Sequence, residues 1–363
     1  MTPAPTFQPE LLAWYQAVAA ALPWRANRDP YRVWLAEMML QQTQVATVIP
    51  YYERFLAAFP TVEALAAAPR DQVLKLWEGL GYYSRARHLH AAAQTLVAQH
   101  GGQFPQTPQA LMALPGIGRY TAGAIASIAF DQRAPVLDGN VVRVFARLFD
   151  LEQDVTQAAT QQALWAMAEH LVPQHDPGAY NQALMELGRT ICKPRNPRCA
   201  DCPIAAHCLA RARGTQAQRP VKARKAPTPH YDVTAGLVRD GTGRLLIARR
   251  PEEKLLGGLW EFPGGKQEAG ESLEACLARE LAEELAIQVA VGPLFIRVKH
   301  AYTHFKITLH VFECRYLPEG GLPECLACTE WRWVTEHELE AFAFSAADRQ
   351  VIAELRARPH KLL

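Results

Sequence analysis

The sequence predicts a multidomain protein in which an all-α domain is followed by an α/β domain. The chain has 363 residues, which is long for one domain, and hydrophobic residues make up 49% of it, enough for a core in each domain. Between Phe7 and about Ala212 apolar residues recur at helical spacing, and residues 89–97 are one example. From His230 the period changes to that of strands rich in β-branched and aromatic residues.

The domain boundary is expected in a basic segment, Gly214–Pro229. This segment holds three prolines and few apolar side chains, which is typical of a linker. We therefore expect domains at residues 1–213 and 230–363, with no strand before residue 230. The elements predicted in the second domain are strands at Tyr231–Val238, Leu245–Arg249, Phe295–Val298 and Ile307–Arg315, and helices at Ser272–Glu284 and Ala347–Arg356.

The net charge of +2 conceals two halves of opposite sign. Residues 1–229 carry 22 basic and 16 acidic side chains, a net charge of +6, and residues 230–363 carry 16 and 20, a net charge of −4. A basic first half and linker suit the phosphate backbone of a nucleic acid. No apolar run is long enough for a membrane span and the first residues lack the features of a signal peptide. We therefore expect a cytoplasmic protein, associated with the nucleoid through DNA, and no membrane partner.

Four cysteines lie close together with the spacing C-x6-C-x2-C-x5-C: Cys192, Cys199, Cys202 and Cys208. In a reducing compartment, four thiolates in one short segment indicate a metal centre rather than disulfides. Because one irregular loop supplies all four, we favour a [4Fe–4S] cluster over zinc. The later pair, Cys325 and Cys328, is expected to be two free thiols.

The most informative helical segment contains a Pro-Gly-x-Gly turn at residues 115–118. One helix ends at this turn, and a second begins at once and runs to Phe130. Glycine lets the backbone approach a ligand, and the helix N-terminus that follows directs free N–H groups at an anion. The turn therefore predicts a grip on a phosphate group, although an ordinary corner between two helices would need the same glycines. Asp138 follows Gly118 by twenty residues, and on its own Asp138-Gly139 indicates only a turn.

The hairpin, Asp138 at this spacing and the four-cysteine loop together resemble the helix-hairpin-helix glycosylase superfamily. Its cluster-bearing members are endonuclease III-like and MutY-like DNA repair enzymes. Two further segments, Ala36–Val45 and Gly79–Arg87, resemble the MutY-type adenine glycosylases. The resemblance covers nearly the whole chain and implies an adenine DNA glycosylase of base excision repair. Its partner would be double-stranded DNA in which adenine is mispaired with 8-oxoguanine or guanine, and we expect a monomer.

The resemblance also implies the catalytic residues. Glu37 is at the position of the general acid that protonates adenine N7, and its apolar neighbours would raise its pKa by desolvation. Asp138 matches the carboxylate that faces the sugar and stabilises its positive charge or bonds to C1′. Tyr120 stands where bifunctional endonuclease III-type enzymes carry the lysine of their Schiff base, so we expect no efficient lyase activity. Tyr120 would assist Glu37, and Asn140 would orient Asp138 or its water.

The DNA contacts that the resemblance implies lie in three segments. Gln42 would fill the space at the opposite base, and Tyr82 would insert into the base stack and offset part of the cost of unstacking. The other residues expected at DNA are Thr43, Leu114, Gly116, Gly118 and Arg119.

The second half resembles the Nudix family. Residues 265–287 match the Nudix box except that Ala286 replaces its glycine. The glutamates of the box would share one helix face, which suits Mg²⁺ or Mn²⁺ on a diphosphate, and a later glutamate matches a further acid on the metal side. These acids are Glu280, Glu283, Glu284 and Glu330.

MutY-type enzymes usually carry a MutT-like C-terminal domain that has lost such acids and reads 8-oxoguanine. The residues expected to read it here are His300, Tyr302, Thr303 and His304. Two interpretations of the box stay open: a relic whose helix supports the recognition domain, or a working Mg²⁺-dependent hydrolase. For the whole chain, the alternatives are an endonuclease III-like bifunctional glycosylase/lyase, which Tyr120 disfavours, and a protein that is chiefly a Nudix nucleotide hydrolase.

Overall fold

The computed structural model of the chain describes residues 7–223 and 227–358, which form two compact units. The first unit comprises residues 7–67 and 88–223, and the second comprises residues 68–87 and 227–358. In the described residues no strand precedes His230, and the later part mixes strands with helices. The predicted fold class, a helical domain followed by an α/β domain, is confirmed.

Some of the helices before residue 214 begin at a residue whose side chain caps them. Asp29, Thr107 and Asp138 each accept N–H groups from the first turn of the helix that follows. A 3-10 turn, Pro23–Arg25, precedes the second helix, and two more, Cys199–Asp201 and Ala205–His207, lie in the cysteine loop. The α-helices in this part are α1 (Gln8–Val18), α2 (Pro30–Leu40), α3 (Val45–Ala58), α4 (Val62–Ala67), α5 (Arg70–Trp77), α6 (Ser84–His100), α7 (Pro108–Leu111), α8 (Arg119–Phe130), α9 (Gly139–Leu148), α10 (Ala158–Leu171), α11 (Pro177–Thr190) and α12 (Leu209–Ala212).

Helix α11 approaches α8 and α9 closely at two glycines. A Cβ on Gly178 would lie 2.5 Å from the backbone oxygen of Ser127, and one on Gly188 would lie 2.6 Å from the Cβ of Asn140. No side chain larger than hydrogen fits at either position without movement of its neighbours. Gly178 therefore sets how near α11 lies to α8, and Gly188 sets how near it lies to α9, the helix that contains Asn140.

A mixed sheet forms the framework of the second unit. Its strands are β1 (His230–Arg239), β2 (Leu245–Arg249), β3 (Trp260–Glu261), β4 (Gln288–Ala301), β5 (Lys306–Leu317) and β6 (Glu330–Val334). The order is β3-β2-β1-β5-β4, with β6 paired to β2; β1 and β5 are parallel and the other pairs antiparallel. Helices α13 (Leu273–Leu285) and α14 (Ala346–Ala357) contribute to two separate apolar clusters of this unit. Two 3-10 turns, Pro318–Gly320 and Glu338–Ala341, connect the later elements.

Each element predicted in the second half overlaps an element of the structure, but β3 and β6 were not predicted. Strand β3 has only two residues, and β6 has the sequence Glu-Trp-Arg-Trp-Val, in which Trp alternates with charged residues. Both strands owe their existence to pairing with β2. Such short strands leave too little local pattern for a prediction from periodicity.

Residues 68–87 are grouped with the later part of the chain rather than with the helices on either side of them. The ammonium of Lys75 donates to the backbone oxygen of Phe342 at 2.9 Å, and the backbone N–H of Phe344 donates to Glu78 at 2.8 Å. Helical spacing along α5 cannot indicate this, because periodicity does not show which core a helix packs against.

The expected linker, Gly214–Pro229, is anchored to the first unit over its described first part. The guanidinium of Arg147 donates to the backbone oxygens of Gln216 and Arg219, and the N–H of Val155 donates to Val221. Arg219 also pairs with the buried carboxylate of Asp150 at 2.8 Å. Residues 224–226 lie outside the described part.

The expectation of free thiols at Cys325 and Cys328 is wrong, because the two form a disulfide. The loop that contains them also caps the last turn of α13, since the N–H groups of Leu326 and Ala327 donate to the backbone oxygen of Glu284. This loop brings the two sulfur atoms together, which the sequence spacing alone did not reveal. Within residues 7–223 and 227–358, no helix combines the length and the hydropathy of a bilayer span.

Candidate active site and associated sites

A cavity of about 440 Å³ in the first unit holds the two carboxyl groups expected to be catalytic. Glu37 comes from the middle of α2, and Asp138 directly precedes α9. Tyr120, from the first turn of α8, and Asn140, from the first turn of α9, also line the cavity. Residues far apart in the chain are thus brought together at one place.

Burial gives Glu37 the properties of an acid that keeps its proton near neutral pH. Glu37 is 6% exposed, within a run of α2 whose other buried residues are hydrophobic. This burial raises the pKa of Glu37 to about 7, against the opposing effect of the Tyr120 hydroxyl, which donates to its carboxylate at 2.5 Å. The negative charge of Asp138 raises the pKa of Glu37 further.

The phenol of Tyr120 is fixed by two contacts. Besides its bond to Glu37, the hydroxyl lies 3.2 Å from the sulfur of Met185 on α11. Burial and the two neighbouring carboxyls raise the pKa of Tyr120 well above its usual value. The residue is therefore a neutral hydrogen-bond donor.

Asp138 is held as the N-cap of α9. One carboxylate oxygen accepts the N–H groups of Asn140 at 2.9 Å and Val141 at 2.8 Å, and the other accepts the Asn140 amide at 2.7 Å. Burial raises the pKa of Asp138, and these three bonds act in the opposite direction by stabilising the anion. The end of a helix at which N–H groups are free also favours a negative charge.

Arg143 fixes the orientation of the Asn140 amide. Its guanidinium donates to the side-chain oxygen of Asn140 at 2.8 Å, which turns the amide N–H₂ group towards Asp138. The same guanidinium donates to the backbone oxygens of Cys192 and Gly188. Arg143 therefore connects the cap of α9 to α11 and to the cysteine loop.

One face of α11 forms a wall of the cavity that the sequence did not predict. It consists of Gln182, Met185, Glu186 and Arg189. Glu186 is 3% exposed and pairs with Arg189 and with Arg25, which also lines the cavity. The spacing of these residues marks one helical face, but nothing in the sequence indicates that this face borders a cavity rather than the core.

The predicted hairpin connects α7 to α8 and leaves its second glycine open to a ligand. Gly116 has a φ of +72°, and a Cβ on Gly118 would meet no atom within 4 Å. Gly118 precedes α8, whose first turn is not capped by a side chain. Leu114 is only 3% exposed, so its side chain belongs to the core, whereas Arg119 lies over the ring of Trp165.

Gln42 and Thr43 lie in the turn between α2 and α3 rather than inside a helix. Gln42 is exposed and has a φ of +58°, and Thr43 lines the cavity that contains Glu37. Tyr82 is 39% exposed, has a φ of +48° and belongs to the second unit.

The four clustered cysteines line one small cavity of about 30 Å³ in the first unit. The guanidinium of Arg147 donates to the sulfur of Cys192 at 3.4 Å, and burial raises the pKa of Cys202 to about 12. In the part of the chain that is described, no group of three or more His, Cys, Asp or Glu side chains is arranged to hold a metal ion. The chemistry of the set, four thiols around one cavity, nevertheless suits a soft metal centre.

A second large cavity, of about 410 Å³, lies in the second unit. Two of the predicted Nudix acids, Glu280 and Glu284, line it together with Glu261 and Asp348. Burial, and then the negative charges of Glu261 and Glu280, raise the pKa of Glu284 to about 7. Burial also raises the pKa of Glu261 to about 7 and that of Asp348 to about 6.

The other two predicted metal-side acids are placed differently. Glu283 is exposed and pairs with Arg279 at 3.0 Å, and Arg279 also binds Glu280 at 3.1 Å. Glu330 lines a different cavity from Glu280 and Glu284 and pairs with Arg332 and Arg249. Glu261, to which the sequence analysis assigned no role, instead resembles Glu284: both line the same cavity, and burial raises the pKa of each to about 7.

The residues expected to read 8-oxoguanine lie at and beside the turn between β4 and β5. The backbone N–H of Tyr302 donates to Phe305 at 2.9 Å, which closes the turn and leaves Thr303 and His304 exposed. The rings of His300 and Tyr302 meet edge to face with their centres 4.6 Å apart, and Tyr302 also lines the second cavity. The hydroxyl groups of Tyr82 and Thr303 are hydrogen bonded to each other.

Ala286 ends α13 in the left-handed region, with a φ of +57°. Glycine would adopt this conformation at lower cost, which explains why the Nudix box has glycine there. The substitution leaves the helix and its glutamates in place.

Two family models match the chain. The model described as "HhH-GPD superfamily base excision DNA repair protein" matches residues 35–170, and the model described as "NUDIX domain" matches residues 234–354. The first contains the cavity residues Glu37, Tyr120 and Asp138, and the second contains α13 and all of the sheet except the first residues of β1.

The chain is similar along most of its length to named adenine DNA glycosylases. It is 38% identical to that of Homo sapiens over 95% of this chain and 73% of the relative, and 38% identical to that of Rattus norvegicus over 95% of this chain and 77% of the relative. Among solved structures it resembles a thermostable thymine-DNA glycosylase, with a TM-score of 0.52 and 30% identity over 57% of this chain and 95% of that one. Since the first two similarities extend over both units, the chain belongs to the adenine DNA glycosylase family and is a DNA N-glycosylase of base excision repair.

Proposed function

We propose that the chain hydrolyses the N-glycosidic bond of adenine mispaired with 8-oxoguanine or guanine in double-stranded DNA. The observation that carries the proposal is the pair of carboxyl groups in one cavity, which lie in contrasting environments. Glu37 is buried, which raises its pKa to about 7, whereas the carboxylate of Asp138 accepts three hydrogen bonds that favour its anion against the effect of burial. A proton donor and a carboxylate are what the cleavage of a glycosidic bond requires.

In the proposed reaction, the adenine is turned out of the duplex into the cavity. Glu37 donates its proton to N7, so that the base leaves as neutral adenine, and the electron pair of the broken bond goes to the base. The sugar becomes positively charged at C1′, and the Asp138 carboxylate stabilises that charge. Water then supplies the hydroxyl group at C1′, and its proton returns to the ionised carboxyl group of Glu37.

Tyr120 and Asn140 support these two groups. The phenol of Tyr120 donates to Glu37 and has no amine with which to form a Schiff base, so we propose a glycosylase without efficient lyase activity. The Asn140 amide, fixed by Arg143, directs Asp138 towards the cavity. This argument disfavours the alternative of a bifunctional glycosylase/lyase.

The DNA backbone would be bound at the hairpin. The open backbone at Gly118 and the uncapped first turn of α8 fit a phosphate group, and Arg119 adds a positive charge beside them. The exposed side chain of Gln42, at the turn before α3, would face the opposite base, and Tyr82 would insert into the base stack.

The four cysteines would hold a [4Fe–4S] cluster. They line one cavity, and the guanidinium of Arg147 faces the sulfur of Cys192. When bound, the cluster would bind the loop into one rigid body through its iron–thiolate bonds. Arg143 donates to the backbone oxygen of Cys192 and to the side chain of Asn140, so a rigid loop would also fix the cap of α9.

The turn between β4 and β5 would recognise the 8-oxo group. Thr303 and His304 are exposed there, and Thr303 offers a hydroxyl that is already paired with the Tyr82 phenol. Exposed polar groups at such a turn can distinguish an oxidised from an ordinary guanine by hydrogen bonding.

A second candidate activity, Mg²⁺-dependent hydrolysis of a nucleoside triphosphate, is favoured by the acids of the second cavity. Glu280, Glu284 and Glu261 line that cavity, where burial and then repulsion from the other two carboxylates raise the pKa of Glu284. A divalent cation among them would remove this repulsion and bind a diphosphate.

The proposed catalytic pair predicts that Glu37→Gln and Asp138→Asn each lower the rate of adenine release about 10²–10⁴-fold, because each removes one half of the acid and anion pair. The measurement is single-turnover release of adenine from a duplex with one A:8-oxoguanine pair. Glu53→Gln, on the exposed side of α3, is the matched control and should retain full activity. Full activity in both cavity variants would refute the proposed mechanism.

The proposed recognition turn predicts that Thr303→Val lowers the preference for A:8-oxoguanine over A:G by about tenfold, since one polar contact is worth about 1 kcal/mol or more. The measurement compares release rates from the two duplexes. Thr335→Val, an exposed threonine after β6, should leave the ratio unchanged. An unchanged ratio in Thr303→Val would remove this turn from recognition.

The proposed cluster predicts that the purified protein absorbs at about 400 nm and contains about four iron atoms per chain. Cys199→Ser should lose both the absorption and most of the iron, whereas Cys325→Ser, outside the loop, should keep them. Zinc in place of iron, or iron that remains after Cys199→Ser, would contradict the proposal.

The second candidate activity predicts that the full chain with Mg²⁺ releases pyrophosphate from 8-oxo-dGTP, and that Glu284→Gln lowers this release at least about tenfold by removing a metal-side carboxylate. Glu274→Gln, exposed in the first turn of the same helix, is the control. Release by the wild type that is no greater than that by Glu284→Gln would exclude the activity.

A further inference from the structure

The wall of the active-site cavity formed by α11 contains a buried ion cluster that the proposed reaction does not use. Its centre is Glu186, which is 3% exposed. One carboxylate oxygen accepts from Arg25 at 3.0 Å and from Arg189 at 3.3 Å, and the other accepts from the second nitrogen group of Arg189. A buried carboxylate without these partners would be costly, so the three residues form a single charge unit.

Arg25 is the member of this unit that acts on Glu37. It ends the 3-10 turn before α2, where its guanidinium lies 5.4 Å from the centre of the Tyr15 ring and donates to the backbone oxygen of Ala20. Both Arg25 and Glu37 line the cavity, where burial raises the pKa of Glu37 and the positive charge of Arg25 acts against that rise. A stronger influence of Arg25 would therefore favour the ionised, inactive form of the acid.

The charged and titratable groups around Glu37 come from four elements. Helix α8 contributes Tyr120, the cap of α9 contributes Asp138, the turn before α2 contributes Arg25, and α11 contributes Glu186 and Arg189. The part of α3 that borders the cavity, with the turn before it, contributes only uncharged residues: Thr43, Gln44, Val45 and Ala46. Within the lining of this cavity, Arg25 and Arg189 are the cations, and Glu186 is the carboxylate bonded to both.

We propose that Glu186 is a positioning residue for the glycosylase reaction: it holds the Arg25 guanidinium on the wall of the cavity and offsets its charge, so that Glu37 keeps the proton that the leaving adenine takes. This inference rests on the proposed role of Glu37 as the acid. Arg189, whose side chain is 39% exposed, is the outer partner, and solvent screens its charge.

The physical basis is the low dielectric of the cavity. A cation whose counter-ion has been removed favours ionisation of a nearby carboxyl group, and it does so more strongly where water is excluded. Loss of the Glu186 charge leaves Arg25 uncompensated and lowers the pKa of Glu37. The reaction then loses its proton donor at a lower pH than in the wild type.

The test is the pH dependence of single-turnover adenine release by the full chain at saturating enzyme. In the wild type, the rate should fall as the pH rises above about 7, because Glu37 loses its proton, and Glu37→Gln should not show this fall. In Glu186→Gln the fall should begin about one pH unit lower, which corresponds to about tenfold less activity at pH 8. Glu186→Asp should restore much of the wild-type profile.

Two further variants separate the electrostatic role from a structural one. Arg25→Met combined with Glu186→Gln removes both charges and should return the fall towards its wild-type pH, and Arg25→Met alone should move it to higher pH. The result for Arg25→Met alone can be obtained even if Glu186→Gln fails to fold. Glu152→Gln changes the net charge equally at an exposed position outside the cavity and should leave the profile unchanged.

The outcomes distinguish the inference from the proposed function. A rate that falls in Glu186→Gln at every pH, with the profile unmoved, would show a structural role only and overturn the inference. An unmoved profile in Arg25→Met would do the same. A wild-type profile without any fall that depends on Glu37 would overturn the acid role of Glu37 and this inference with it.

Discussion

The cap that Asp138 provides to α9 is the interaction on which the geometry of the cavity around Glu37 depends. Its carboxylate binds two backbone N–H groups of the first turn and the amide of Asn140, so the residue that begins the helix also presents an anion to the cavity. Arg143 extends this arrangement, because its guanidinium holds the amide of Asn140 and the backbone of Gly188 and Cys192. A distortion of α11 or of the cysteine loop would therefore move the carboxylate.

Two carboxyl groups in one cavity acquire different properties because their surroundings differ. Glu37 is buried, and burial favours its protonated form more strongly than the hydrogen bond from the Tyr120 hydroxyl favours its anion. Asp138 lies at a helix N-terminus, where three donors stabilise the anion. The difference therefore comes from the position of each carboxyl group and not from its residue type. The ion cluster of Arg25, Glu186 and Arg189 is a third influence on whether Glu37 is protonated or ionised.

The second unit places its polar groups by the geometry of a sheet. The long strands β4 and β5 carry Thr303 and His304 to an exposed turn, and α13 supplies Glu280 and Glu284 to a cavity that Tyr302 also lines. Residues 68–87 belong to this unit through bonds to Phe342 and Phe344, so Tyr82 lies beside Thr303 although 221 positions separate them in the chain. Two short strands and one detached helical segment therefore escaped prediction, since each is defined by partners distant in sequence.

The sequence by itself determined the fold class and the hairpin, because helical periodicity and turn glycines are local properties of the chain. Glu37 and Asp138 were singled out by the resemblance to a known family and not by periodicity or spacing alone. Only the tertiary structure decided which groups meet. It placed α11 and its buried Glu186 on the wall of the cavity, separated Glu330 from Glu284, and joined Cys325 to Cys328. These contacts follow from the packing of helices at Gly178 and Gly188 and from loop geometry, and packing between distant segments leaves no periodic pattern in a single sequence.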